Sequence, residues 1–139
     1  MEPREIHAEY LGAMLARDAD RFADLFALDG VFEAPLVPPG GAIPRRVAGR
    51  EEIRKALTDH YRRSTAVLRE VNKERSRRIL HTTSDPEVFI AELDVVFGSP
   101  CDGPDDAAVM SLVQIFRTRQ GHITLMRDYF TAEATASSS

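Results

Sequence analysis

Residues 107–130, AAVMSLVQIFRTRQGHITLMRDYF, decide the fold. Ala107 to Arg119 and His122 to Phe130 are rich in β-branched, aromatic and long apolar residues, and Gln120-Gly121 between them reads as a tight turn. The stretch therefore predicts two paired antiparallel strands. Upstream, Glu87 to Phe97 is a further strand and Arg75 to Thr83 another, so the second half of the chain is a meander. The first half has a different period. Ile6, Tyr10, Leu11, Met14 and Leu15 fall on one helical stripe, and Asp18 is placed to cap a second helix carrying Phe22, Leu25 and Phe26. Asp29-Gly30 closes that helix, and Val31 to Ala34 form a short strand ended by Pro35. Residues 35–49 hold four prolines and three glycines and form a long loop. Gly49 then precedes a third helix, REEIRKALTDHYRR, with Ile53, Ala56, Leu57, His60 and Tyr61 along one side. Helices followed by strands predict an α+β architecture, with the helices laid on one face of a curved sheet.

The 139 residues fit one domain, placed at 1–131, with 132–139 read as a disordered tail. Hydrophobic residues at 43% and charged residues at 29% describe a soluble globular chain. The 18 basic against 22 acidic side chains, a net charge of -4, argue against a nucleic-acid partner. Arg45 to Arg78 is locally basic, but Tyr61 is its one aromatic suited to base stacking. That stretch reads as the outer side of a helix and a charged edge strand. No apolar run approaches the ~20 residues of a membrane span. The N-terminus lacks the apolar core of a signal peptide, and the single Cys101 excludes an internal disulfide, so a cytoplasmic protein is expected. No glycine-rich phosphate loop and no GxSxG are present, and His7, His60, His81 and His122 form neither HxxxH nor HxH. Neither a metal nor a cofactor is expected.

Side-chain alternation groups the candidate residues by face. Met126, Asp128 and Phe130 share one face of the last strand, Val109, Ser111, Val113 and Ile115 one face of the strand before it. Val88, Ile90, Glu92, Asp94 and Val96 form a third set, Phe32 and Ala34 a fourth, and Tyr10 and Met14 lie one helical turn apart. Asp128 between Met126 and Phe130 is a carboxyl in an apolar setting. Burial there raises its pKa toward neutrality, where it can take up and release protons. Met110, Leu112 and Phe116 make the 107–119 strand apolar on its second face as well, which predicts a homodimer through the sheet's outer side.

The strings Asp18 to Asp29 (DADRFADLFALD), Val31 to Pro35 (VFEAP), Gly49 to Ile53 (GREEI), Gly121-His122-Ile123 and Arg127 to Phe130 (RDYF) occur in an order that resembles the nuclear transport factor 2-like superfamily, in its SnoaL-like and ketosteroid-isomerase-like branch. The resemblance implies a cone (a cystatin-like roll): a bent sheet wrapped around N-terminal helices, with an apolar pocket at its wide end. It implies a pocket lined by Tyr10, Met14, Phe32, Ala34, Leu57, Glu92, Ser111, Val113, Met126 and Phe130, with Ser111 offering one hydrogen bond to a ligand. Tyr10 matches the tyrosine with which ketosteroid isomerases bind the steroid oxygen. Their general-base aspartate falls at Ala34 and their second oxyanion-hole aspartate at Val113, so that route is not retained. Arg127-Asp128-Tyr129-Phe130 is similar to the last strand of limonene epoxide hydrolase, and that family's second aspartate falls at Asp94. Its arginine falls at Glu92, and its water-orienting tyrosine and asparagine at Phe32 and Ala34. Asp94 and Asp128 are thereby expected to meet and share a proton in the pocket, with Glu92 at the rim. The implied activity is cofactor-independent acid/base catalysis (isomerisation, cyclisation, dehydration or epoxide opening) on an apolar oxygenated ligand. The alternative is a non-catalytic small-molecule carrier.

Overall fold

A computed structural model describes residues 2–40, 44–63, 71–98 and 108–130. Helix α1 (Pro3–Leu15) starts on a proline, whose missing N–H costs nothing in a first turn. It ends where Arg17 turns back with a φ of 52°. Asp18 caps α2 (Ala19–Asp24) by accepting a hydrogen bond from the Arg21 N–H at 3.1 Å. Helix α3 (Arg50–Arg63) is lashed to α2 by Arg54, which reaches Asp20 at 2.8 Å and Asp24 at 2.7 Å. The strands are β1 (Phe26–Glu33), β2 (Arg46–Ala48), β3 (Arg77–Thr82), β4 (Val88–Phe97), β5 (Ala108–Arg119) and β6 (His122–Tyr129). They form one sheet in the order β2-β1-β6-β5-β4-β3, antiparallel throughout except for the parallel β1–β6 pair. The architecture is the α+β cone-like roll.

Two sequence expectations are corrected. Phe26 is not helical: α2 stops at Asp24, and Phe26 begins β1 beside Ile123 of β6. Asp29-Gly30 is not a helix terminator but part of a bulge, where five steps along β1 (Phe26 to Val31) match two along β6 (Ile123 to Leu125). Glycine is required there because a Cβ at Gly30 would lie 2.8 Å from the Ile123 carbonyl oxygen. The long loop also contains β2, an edge strand paired to the end of β1. The Gln120-Gly121 turn is as read, with φ values of 52° and 80° that fit a type I′ hairpin. The expected tail at 132–139 and the loop carrying Cys101 lie outside the described residues.

The sheet has two unlike faces. The inner face presents Phe26, Phe89, Ala91, Phe116, Ile123 and Met126, packed against Ile6, Tyr10 and Ala13 of α1, Phe22 and Ala23 of α2 and Ile53 of α3. Phe89 and Phe116 stack at 4.7 Å between centroids, nearly parallel. The outer face carries Ile79, Val109 and Val113, each exposed by 39% or more.

Candidate active site

Four polar side chains meet where α1 crosses the inner face. His7 and Tyr10 are three residues apart on α1, so both point at the sheet. Gln114 of β5 and Asp128 of β6 are direct cross-strand partners, so they too share a face. The Tyr10 hydroxyl donates to Asp128 Oδ2 at 3.4 Å, the Gln114 amide donates to the Tyr10 oxygen at 3.4 Å, and His7 Nε2 lies 2.9 Å from Gln114 Oε1. All four residues are buried. Their surroundings are aromatic: Tyr10 packs on Phe22 and Phe116, and His7 stacks on Tyr10 and meets the edge of Phe116.

Burial governs the electrostatics. It pushes the Asp128 carboxyl up to about 7, against the smaller opposing effect of hydrogen bonds from Gln114 and Tyr10. The Tyr10 hydroxyl is held well above its usual range, first by burial and then by the neighbouring Asp128. Burial lowers the His7 pKa, a bond to Gln114 works against it, and the positive Arg78 adds to the lowering. Near neutral pH His7 and Tyr10 are therefore uncharged, while Asp128 is close to its midpoint. Its second oxygen, Oδ1, is buried with no hydrogen-bond partner among the described residues.

Most of the apolar candidates are buried or packed against the core that holds Tyr10. Met126 is in register with Phe32, Ala34 is fully buried, and Met14 and Leu57 pack on the core, while Phe130 is half-buried just beyond β6. Four expected members do not gather there. Asp94 pairs with Ser111 and Glu92 with Val113, and this set occupies the outer face, opposite Gln114 and Asp128. Alternation within a strand fixes which residues travel together but not which side they take, and a one-residue offset between strands moves a whole set across the sheet. The Asp94–Asp128 pair is therefore not formed. Ser111 instead donates to Asp94 Oδ1 at 2.6 Å, and Glu92 pairs with His81 at 2.7 Å. Both sit beside a groove of about 280 Å³ whose walls include Arg77, Ile79 and Tyr129. The inward residue of β5 is Gln114, not Val113.

His7 and Gln114 are the members that sequence reading missed. Each had a signal: His7, Tyr10 and Met14 are spaced three and four apart, and Gln114 alternates with Leu112 and Phe116, two apolar inward residues. Among the described residues, no three His, Cys, Asp or Glu side chains converge to hold a metal ion, and no helix is long and apolar enough to cross a membrane.

Known proteins place the chain. It is 29% identical over 130 residues to an uncharacterized PhzA/B-like protein of Pseudomonas aeruginosa, covering 94% of this chain and 84% of that protein. Its fold is similar to a provisionally assigned isomerase from Bacillus subtilis, with a TM-score of 0.70, 22% identity, and coverage of 99% of this chain and 95% of the other. It is also similar to SalBIII, an epoxide hydrolase/cyclase-like enzyme of pyran ring formation in the polyether salinomycin, with a TM-score of 0.59, 22% identity, and coverage of 94% and 92%. Residues 7–126, which span β1 to β5 and the first part of β6 and hold His7, Tyr10 and Gln114, match the SnoaL-like domain, and the chain belongs to that family.

Proposed function

We propose that this protein is a small-molecule enzyme that rearranges an apolar, oxygenated ligand by general acid/base catalysis at Asp128, without a cofactor. The observation that carries the reading is a single carboxyl buried among aromatic side chains, 3.4 Å from a tyrosine hydroxyl. A carboxyl with a pKa of about 7 can both take and return a proton at neutral pH. Its unpartnered Oδ1 is the oxygen that accepts the proton from a carbon next to a substrate carbonyl. With substrate bound, the Tyr10 hydroxyl, too high in pKa to ionise, turns its one proton from Asp128 Oδ2 to the oxygen on which charge develops. Return of the proton to another carbon completes an isomerisation. Attack of the enolate on a second carbonyl closes a ring, and loss of hydroxide protonated by Asp128 gives a dehydration. Cyclase-type relatives of similar fold favour this class of chemistry.

A non-catalytic carrier is the second reading. It is favoured by the outward Asp94, which leaves Asp128 without the partner acid that epoxide opening was expected to use. Steroid enones, linear polyketides and terpenoid epoxides, assayed for binding by thermal shift and for product by mass spectrometry, distinguish the two. Turnover that falls at least ~100-fold in Asp128→Asn supports the enzyme, in line with the usual size of acid/base catalysis. Binding without turnover supports the carrier, and full turnover by Asp128→Asn removes Asp128 from the mechanism.

The outer face supports a homodimer. Exposed Ile79 and Val113 line the groove together with Arg77, Glu92 and Asp94. A patch holding both signs of charge can complement itself across a two-fold axis.

A further inference from the structure

We propose that His7 is a positioning residue for Asp128, acting through the Gln114 amide to fix the direction of the hydrogen-bond chain His7–Gln114–Tyr10–Asp128. This rests on the acid/base reading of Asp128. The chain is continuous, with separations of 2.9, 3.4 and 3.4 Å, and sits entirely in the interior. An amide has one accepting end and one donating end, so its orientation transmits direction.

With the proton on Nε2, His7 donates to Gln114 Oε1. The Gln114 NH2 group then faces the Tyr10 oxygen, and the Tyr10 proton is left to point at Asp128. Every donor in this arrangement aims toward the carboxylate, which stabilises its charged form. The opposite tautomer puts the proton on Nδ1. That atom is buried and has no partner among the described residues, so a hydrogen there is stranded. Nε2 then faces Oε1 with two lone pairs opposed, and the amide must turn over. Once turned, Oε1 takes the Tyr10 proton, and Asp128 faces a bare oxygen that suits only its protonated form. One polarity of the chain fits the carboxylate and the other fits the acid.

Few charges interfere. Asp128 is faced by Tyr10 of α1 and Gln114 of β5, Tyr10 also by Tyr61 of α3, and His7 by Arg78 of β3. Arg78 is the one permanent charge among them, and it opposes a charged imidazolium. The neutral Nε2–H form is thus the one that satisfies both Gln114 and Arg78.

The test is NMR titration of the Asp128 carboxyl carbon in the full chain, with the His7 tautomer read from its ring nitrogen shifts. His7→Phe keeps the ring that packs on Tyr10 and Phe116 but removes the donor. It is expected to raise the Asp128 midpoint by about one pH unit, the size of losing support for the charged form. His7→Gln restores a donor at the same reach and is expected to return the midpoint to within a few tenths of the wild-type value. An unchanged midpoint in folded His7→Phe overturns the proposal, as does a wild-type proton found on Nδ1 at pH 8, a measurement that needs no variant to fold. A wild-type Asp128 midpoint near an ordinary ~3.9 refutes the acid/base reading itself, a distinct failure.

Discussion

Burial pushes the Asp128 carboxyl up to about 7 in the folded protein, well above its range in the unfolded chain, and this links folding to pH. Between roughly pH 4 and 7 the native state holds a proton that the unfolded state has lost, so this residue's contribution to stability is full below that window, declines as pH rises through it, and is level above about 7. The ceiling is on the order of 4 kcal/mol. Asp128→Asn cannot ionise, so the wild type is expected to lose ground to it from pH 4 to about pH 7 in urea unfolding and to hold level from there to pH 8. A difference that stays flat with pH means the carboxyl is not desolvated. His7 has the opposite sign, because its lowered pKa removes stability as pH falls below its ordinary 6.5. At this scale the sequence was partly legible. Met126 and Phe130 announced an apolar setting for Asp128, and the helical stripe did the same for Tyr10. Gln114 escaped because an isolated amide in a strand carries no chemistry until its neighbours are known.

The strands were readable as objects but not in their mutual phase. Each strand from β3 to β6 was anticipated to within two residues at either end, because their apolar patterns and the Gln120-Gly121 turn are local signals. Whether Asp94 or Leu93 looks inward depends on pairing with β5, which no local pattern encodes. The Asp29-Gly30 bulge was misread for a related reason: the dipeptide signals a break, and both a turn and a bulge break a pattern. Gly30 gives this a direct check. A methyl group there meets the Ile123 and Ala27 carbonyl oxygens at 2.8 and 3.0 Å, neither of which can yield without moving backbone. Gly30→Ala is expected to cost roughly 1–3 kcal/mol by urea midpoint, as overpacking does. An unchanged midpoint means the bulge is looser than described.

At the scale of the molecule, an aromatic inner face is separated from a mixed outer face, and the proposed chemistry and the proposed dimer rest on opposite sides of the sheet. The fold class was legible because the order of helices and strands survives errors of one residue, whereas the contents of a site do not. If the outer face joins two copies, the wild type elutes as a dimer in light scattering at micromolar concentration, and Val113→Asp, which adds a third acid beside Glu92 and Asp94, elutes as a monomer. A monomeric wild type ends that model. The parallel β1–β6 pair has its own bearing on how such a chain is made. β6 lies in the middle of the sheet yet follows every other strand in sequence, and Tyr10 waits 118 residues for Asp128. Until β6 leaves the ribosome, two half-built sheets must each hold a raw edge open, β1 on one and β5 on the other. The keystone strand that welds them also carries Asp128, so vectorial synthesis cannot bring the four buried polar side chains together ahead of a finished scaffold.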